Sequence, residues 1–238
     1  MINKFLIRCE SDDAIDTCTA SFVDGLPPLC RLLGDESSKS FLISIESKMG
    51  DPLRNGNFYT ISKLVGDLSV HVATIFCQKA INVSGVRQYY LAEVRFSDLQ
   101  AAHLLEAWSD GVAISWRELD SIYGYSWLTA CMRLSSAAEW IQPCKNYEIF
   151  IDTQGLRTIE DFYCYLGEEL FGYKGYAGRD LDGFFEILTK NDLTGLIFNI
   201  LNERDLADFF FATTRRSDYL ELFESALLDS GVRLKTSR

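Results

Sequence analysis

The stretch Tyr176-Ala177-Gly178-Arg179-Asp180-Leu181-Asp182-Gly183-Phe184-Phe185-Glu186-Ile187-Leu188 decides how the second half of this chain folds. At roughly 100° per residue, Leu181, Phe184, Phe185 and Leu188 fall on one stripe, the expected core face of a helix running from near Asp180 to near Lys190. Asp182 and Glu186 are four apart and stack on an adjacent face, with no basic residue between them. Like charges at that spacing cost an isolated helix roughly a few tenths of a kcal/mol. Asp182 recovers part of this at the positive end of the helix dipole, whereas Glu186 lies too far along to do so.

Upstream, Tyr147 to Ile151 reads as a strand, and Thr158-Ile159-Glu160-Asp161 as an N-cap with acids in the first turn of a helix reaching about Phe171. A loop rich in Gly and Tyr, Gly172 to Gly178, joins the two helices, and its glycine spacing fits no nucleotide-binding fingerprint. Downstream, Leu196 to Leu201 is apolar except for Asn199, the composition of a strand buried on both faces. Helical segments near Glu203 to Phe211 and Ser217 to Asp229 follow, then a strand from Val232 to Thr236. This alternation implies an α/β domain, a small parallel three-stranded sheet covered by helices.

The first 145 residues read as an α+β domain without an internal repeat. Phe5 to Cys9, Phe41 to Ile45, Leu68 to Cys77 and Gln88 to Phe96 are expected strands. Ser97 is placed to cap a helix carrying Leu99, Ala101, Leu104, Leu105 and Trp108, and Ser115 to Met132 repeats the helical spacing less cleanly. Polar loops are expected at 35–40 and 50–57. Ser135 to Ala138 and Gln142-Pro143 mark the expected boundary, dividing the chain into 1–145 and 146–238, because Pro143 disfavours helix at the residue before it.

The chain has 47% apolar and 24% charged residues, an ordinary globular composition. Its net charge of −11 argues against nucleic acid as partner, since each phosphate contact needs a compensating cation, and favours a basic protein. The acid excess is denser toward the C-terminus, where residues 147–238 hold 17 acids and 10 bases. No apolar run approaches a membrane span, and the charged start Met1 to Arg8 is too short for the apolar heart of a signal peptide, so a cytoplasmic protein is expected. The seven scattered cysteines suit buried reduced thiols, and with only His71 and His103 no metal centre and no cofactor is expected. Both histidines read as structural or surface residues, and Cys164 among Phe162, Tyr163 and Tyr165 as a packed thiol. No catalytic set is recognisable, so the expected role is not that of an enzyme.

The stretch from Tyr176 to Glu186, with its Tyr-x-Gly-x-(Asn/Asp)-Leu-Asp-x-Phe-x-(Asp/Glu) pattern, resembles the second helix of the barstar-like family of ribonuclease inhibitors. The resemblance extends upstream through Leu156 to Phe162 and Leu166 to Leu170, and more weakly through Tyr219 to Phe223 and the last strand, about ninety residues in all. It implies an immunity protein of toxin-antitoxin type, which occludes the active site of a basic ribonuclease or toxin domain. By that resemblance Asp182 and Glu186 are the two inserted acids and Tyr176 a contacting aromatic, with Gly178, Phe185 and Asn191 at neighbouring interface positions. Phe185 stands where the family has a tryptophan, Asn191 where it has a second aromatic, and Glu186 is one methylene longer than the usual Asp. Glu221 and Glu224 are equal candidates for a further acid on the last helix. A ribonuclease cleft holds phosphates with cations, so two carboxylates on a rigid helix can take the phosphate positions. The alternative is the same fold docking a protein that is not a nuclease.

Overall fold

The computed structural model describes residues 4–10, 17–27, 29–31, 40–47, 53–83, 86–136, 147–191, 193 and 195–236. They fall into two compact units, Met1–Ala113 and Ile114–Arg238.

The first unit carries the strands β1 (Lys4–Cys9), β2 (Thr17–Ala20), β3 (Phe22–Asp24), β4 (Leu29–Arg31), β5 (Ser40–Glu46), β6 (Phe58–Val65), β7 (Leu68–Asn82) and β8 (Arg87–Asp98), then helix α1 (Leu99–Ser109). They form one antiparallel sheet in the order β2-β1-β6-β7-β8-β5-β3, with β4 also pairing β8. Strand β6 was not among the expected strands, although Tyr59, Ile61 and Val65 alternate inward along it. Lys63 interrupts that row. Its ammonium is almost fully buried and is neutralised by Glu106 of α1 at 2.7 Å. The cap of α1 is Asp98, whose Oδ1 accepts from the Ala101 amide at 3.1 Å, and not Ser97, whose hydroxyl donates to the Pro27 carbonyl. His71 contacts the Thr74 hydroxyl and the Phe96 ring, a structural role.

In the second unit, Ser115 to Met132 does not begin as a continuous helix. It opens with two 3-10 turns, Trp116–Glu118 and Ser121–Tyr123, before α2 (Gly124–Ser136). The order then runs β9 (Glu148–Ile151), α3 (Ile159–Phe171), α4 (Leu181–Lys190), β10 (Ile197–Ile200), α5 (Glu203–Thr214), α6 (Tyr219–Asp229) and β11 (Arg233–Thr236). The three strands form a parallel sheet with β10 in the centre. The division between the units lies after Ala113, not at 145, because the buried face of α2 (Trp127, Leu128 and Cys131) packs within the second unit. The Cys164 thiol on α3 reaches the Gly124 carbonyl at the start of α2, and the Trp116 indole donates to Glu168. The Pro143 segment lies outside the described residues.

Strand β10 is not buried on both faces. Phe198 and Ile200 are buried, while Ile197 and Asn199 are half-exposed on a face shared with Phe150, which is half-exposed too. Among the described residues the helices cover one side of the sheet, and the apolar run is half core and half surface. On the covered side Phe162, Phe184, Phe198, Phe210 and Phe223 form one aromatic cluster, with Phe223 within 6.4 Å, centroid to centroid, of each of the other four rings. Buried Asp161 holds the entry to α3 by accepting from the Arg157 backbone amide and guanidinium, while Thr158 caps the helix. Cys9, Cys77, Cys131 and Cys164 are buried, and burial raises the pKa of the Cys77, Cys131 and Cys164 thiols. Among the described residues no helix is long and apolar enough to cross a membrane.

Candidate partner-binding face

Helix α4 is built by its own flanks. Asp180 caps it by accepting from the Gly183 amide at 2.8 Å, and Lys190 lies in its last turn. Phe184 and Leu188 are buried, and the Phe184 ring stacks on Phe223 of α6 at 5.5 Å. The opposite face is a stripe of Asp182, Phe185, Glu186 and Thr189, all exposed. Phe185 therefore leaves the apolar stripe to which its spacing assigned it. The helix has room in the core for Phe184 and Leu188 in successive turns, and Phe185 stands 39% exposed between the two carboxylates.

Asp182 lies in the first turn, where the helix dipole favours an anion. Glu186, one turn on, is paired with Lys190. Both partners of that pair are largely exposed, so the interaction contributes little and Lys190 is readily exchanged for a better-placed cation. The loop before the helix supports this face from beneath. Tyr176 is 8% exposed, and burial raises its phenol pKa in a neighbourhood that includes Arg179, Asp180, Glu186 and Tyr125. Gly178 is buried at φ +95°, against the first turn of α4. Its role is to let the chain approach that turn, and a partner has little of it to touch.

Asn191 ends the helix and is buried, so it does not belong to the exposed stripe. Helix α6 runs alongside α4 in the same direction, start beside start and end beside end. Tyr219 at its start shares the surroundings of Asp180 and Asp182 and bonds Tyr163 through their hydroxyls at 2.6 Å. Glu221 is exposed on α6, while Glu224 is half-buried and its pKa is raised by burial first, then by Glu203 and Glu221. A carboxyl with a raised folded-state pKa costs the fold stability as pH rises through that pKa. Glu224→Gln is therefore expected to stabilise the free protein at pH 7 by roughly a few tenths of a kcal/mol, the scale of like-charge relief. The gain should vanish where the carboxyl is protonated in both states, below roughly pH 3.5. Urea melts at the two pH values test this, and an equal gain at both would mean that electrostatics is not the cause.

Two contributors escaped the sequence reading. Arg179 donates to the Tyr125 hydroxyl at 2.8 Å, with its guanidinium 5.4 Å from the ring centroid. Arg179 is exposed beside the acidic helix, so the face is not purely anionic. Tyr125 belongs to α2, on the far side of the expected boundary, and no local pattern could have joined it to α4. Among the described residues no cluster of three metal-ligating side chains occurs. Compared with protein-family models, curated proteins and solved structures, the chain matches none.

Proposed function

We propose that this protein is a barstar-like inhibitor, an immunity protein whose α4 face enters the phosphate-binding cleft of a basic ribonuclease and blocks it. It acts by occlusion, without catalysis, in the cytoplasm of the cell it protects. The observation that carries the reading is the exposed stripe of Asp182, Phe185 and Glu186 on a helix whose other face is locked into an aromatic core. Two carboxylates held a turn apart on a rigid support meet the needs of a phosphate mimic, because charge-assisted hydrogen bonds reward fixed geometry. The order of strand, two helices, strand, two helices and strand over Glu148–Thr236 also supports it, as does the net charge of −11.

The test is RNA cleavage by small basic secreted ribonucleases with and without the purified chain. Stoichiometric inhibition of at least one enzyme is expected, relieved by a competing oligonucleotide. Its association rate should fall steeply with salt, since screening acts within roughly 10 Å at 0.1 M. A partner without nuclease activity, bound at a rate indifferent to salt, would instead establish the same fold as a docking module of another kind.

A further inference from the structure

Beyond the acidic stripe, the C-terminal ends of α4 and α6 enclose a cleft of about 380 Å³, lined by Leu188, Thr189, Asn191, Leu193, Asp229 and Ser230 among others. A single water takes up roughly 30 Å³ of liquid volume, so the cleft has room for a side-chain-sized group. Asn191 is 8% exposed and lines it. Its Nδ2 donates to the Ile187 carbonyl at 2.7 Å, which sets the orientation of the amide, because a flipped amide would bring two acceptors together. The Oδ1 atom is then buried with no hydrogen-bond partner among the described residues. Buried polar atoms are nearly always satisfied, and an exception calls for a group that the protein alone does not supply.

What that group must be follows from its surroundings. The free atom is an acceptor, so the ligand carries N–H or O–H donors. The ends of two helices bring the negative poles of their dipoles to the cleft, and Asp229 adds a carboxylate. None of the described residues lining the cleft is basic, and neighbouring Lys190 is engaged with Glu186. The field therefore selects a cation, while Leu188 and Leu193 offer apolar wall to an alkyl stem. We infer that the cleft at the ends of α4 and α6 seats an arginine- or lysine-type cation of the protein that meets α4, bound by Asn191 Oδ1 and Asp229. The source of the cation rests on the proposed function. The site itself does not.

The site is testable without any partner, by ¹H–¹⁵N NMR titration of the full chain with methylguanidinium. Saturable shifts are expected at the Asn191 side-chain amide and the Ser230, Gly231 and Gly195 backbone amides. Tetramethylammonium, a cation without N–H donors, should produce none of them at equal ionic strength. Asn191→Leu should weaken binding at least tenfold. Asp229→Asn, on the exposed end of α6, should weaken it several-fold and guards against misfolding of the first variant. No saturable shift at concentrations up to about 100 mM, far above the millimolar scale of weak recognition, overturns the site, leaving a cleft filled by water only. Equal shifts with tetramethylammonium, or unchanged binding in both variants, overturn it as well. Inhibition of a ribonuclease by a chain that fails this titration would remove the cleft and leave the proposed function standing. A positive titration without any nuclease inhibition would do the reverse.

Discussion

Under the proposed function, Asp182→Ala and Glu186→Ala are each expected to lower affinity for the target ribonuclease by about 2 to 5 kcal/mol or more, and the double substitution to abolish inhibition at ordinary concentrations. Truncating either carboxylate leaves cationic groups of the nuclease cleft desolvated and unpaired, which is the origin of so large a loss. Magnitudes of this size are those of close charge pairs in the barnase–barstar complex, the type case of the family that the chain resembles, and are carried over from it. The free protein should respond differently. Removing Glu186 forfeits only an exposed pair with Lys190, and removing Asp182 forfeits a first-turn dipole interaction of about 0.3 to 1 kcal/mol. Stability of either single variant should thus stay within about 1 kcal/mol of wild type. Asp208→Ala, on the exposed face of α5, serves as the control and should alter neither property. Calorimetric titration beside urea unfolding measures both responses. If the double variant inhibits as strongly as wild type, α4 is not the inhibitory element.

Gly178→Ala is expected to destabilise the second unit by about 2 to 6 kcal/mol, the sum of two costs. One part, about 1 to 3 kcal/mol, is backbone strain, because φ is +95° and a side chain there is disfavoured. The other part, also about 1 to 3 kcal/mol, is overpacking. An added Cβ would lie 2.4 Å from the Phe184 amide nitrogen and 2.7 Å from the Gly183 carbonyl carbon, and backbone cannot swing away as a flexible side chain could. Relief requires moving the first turn of α4 and with it Asp182. Binding should therefore fall together with stability, the opposite of the pattern expected for the carboxylates. A thermal or urea transition unchanged to within about 0.5 kcal/mol would mean that the loop accommodates a side chain and that Gly178 has another role.

The helices and strands of residues 147–236 were largely legible in the sequence, from the cap at Thr158 to the apolar spacing of Phe184 and Leu188. These are local properties, since 3.6 residues per turn and a capping side chain three positions from an amide involve only near neighbours. The acidic pair at Asp182 and Glu186 was legible for the same reason. Strand β6 was missed because Lys63 breaks its apolar alternation, and only α1, folded across it, supplies the Glu106 carboxylate that makes a buried ammonium tolerable. The period of α4 gave Leu181, Phe184, Phe185 and Leu188 as a single stripe, but the width of the core decided that Phe185 faces water. The unit boundary, the Tyr125–Arg179 contact and the unpaired Asn191 oxygen in the cleft it shares with Asp229 were decided by tertiary structure alone. The Tyr125–Arg179 contact joins residues 54 positions apart and the cleft brings together residues 38 apart, and no sequence spacing encodes which helix ends meet once the chain has closed on itself.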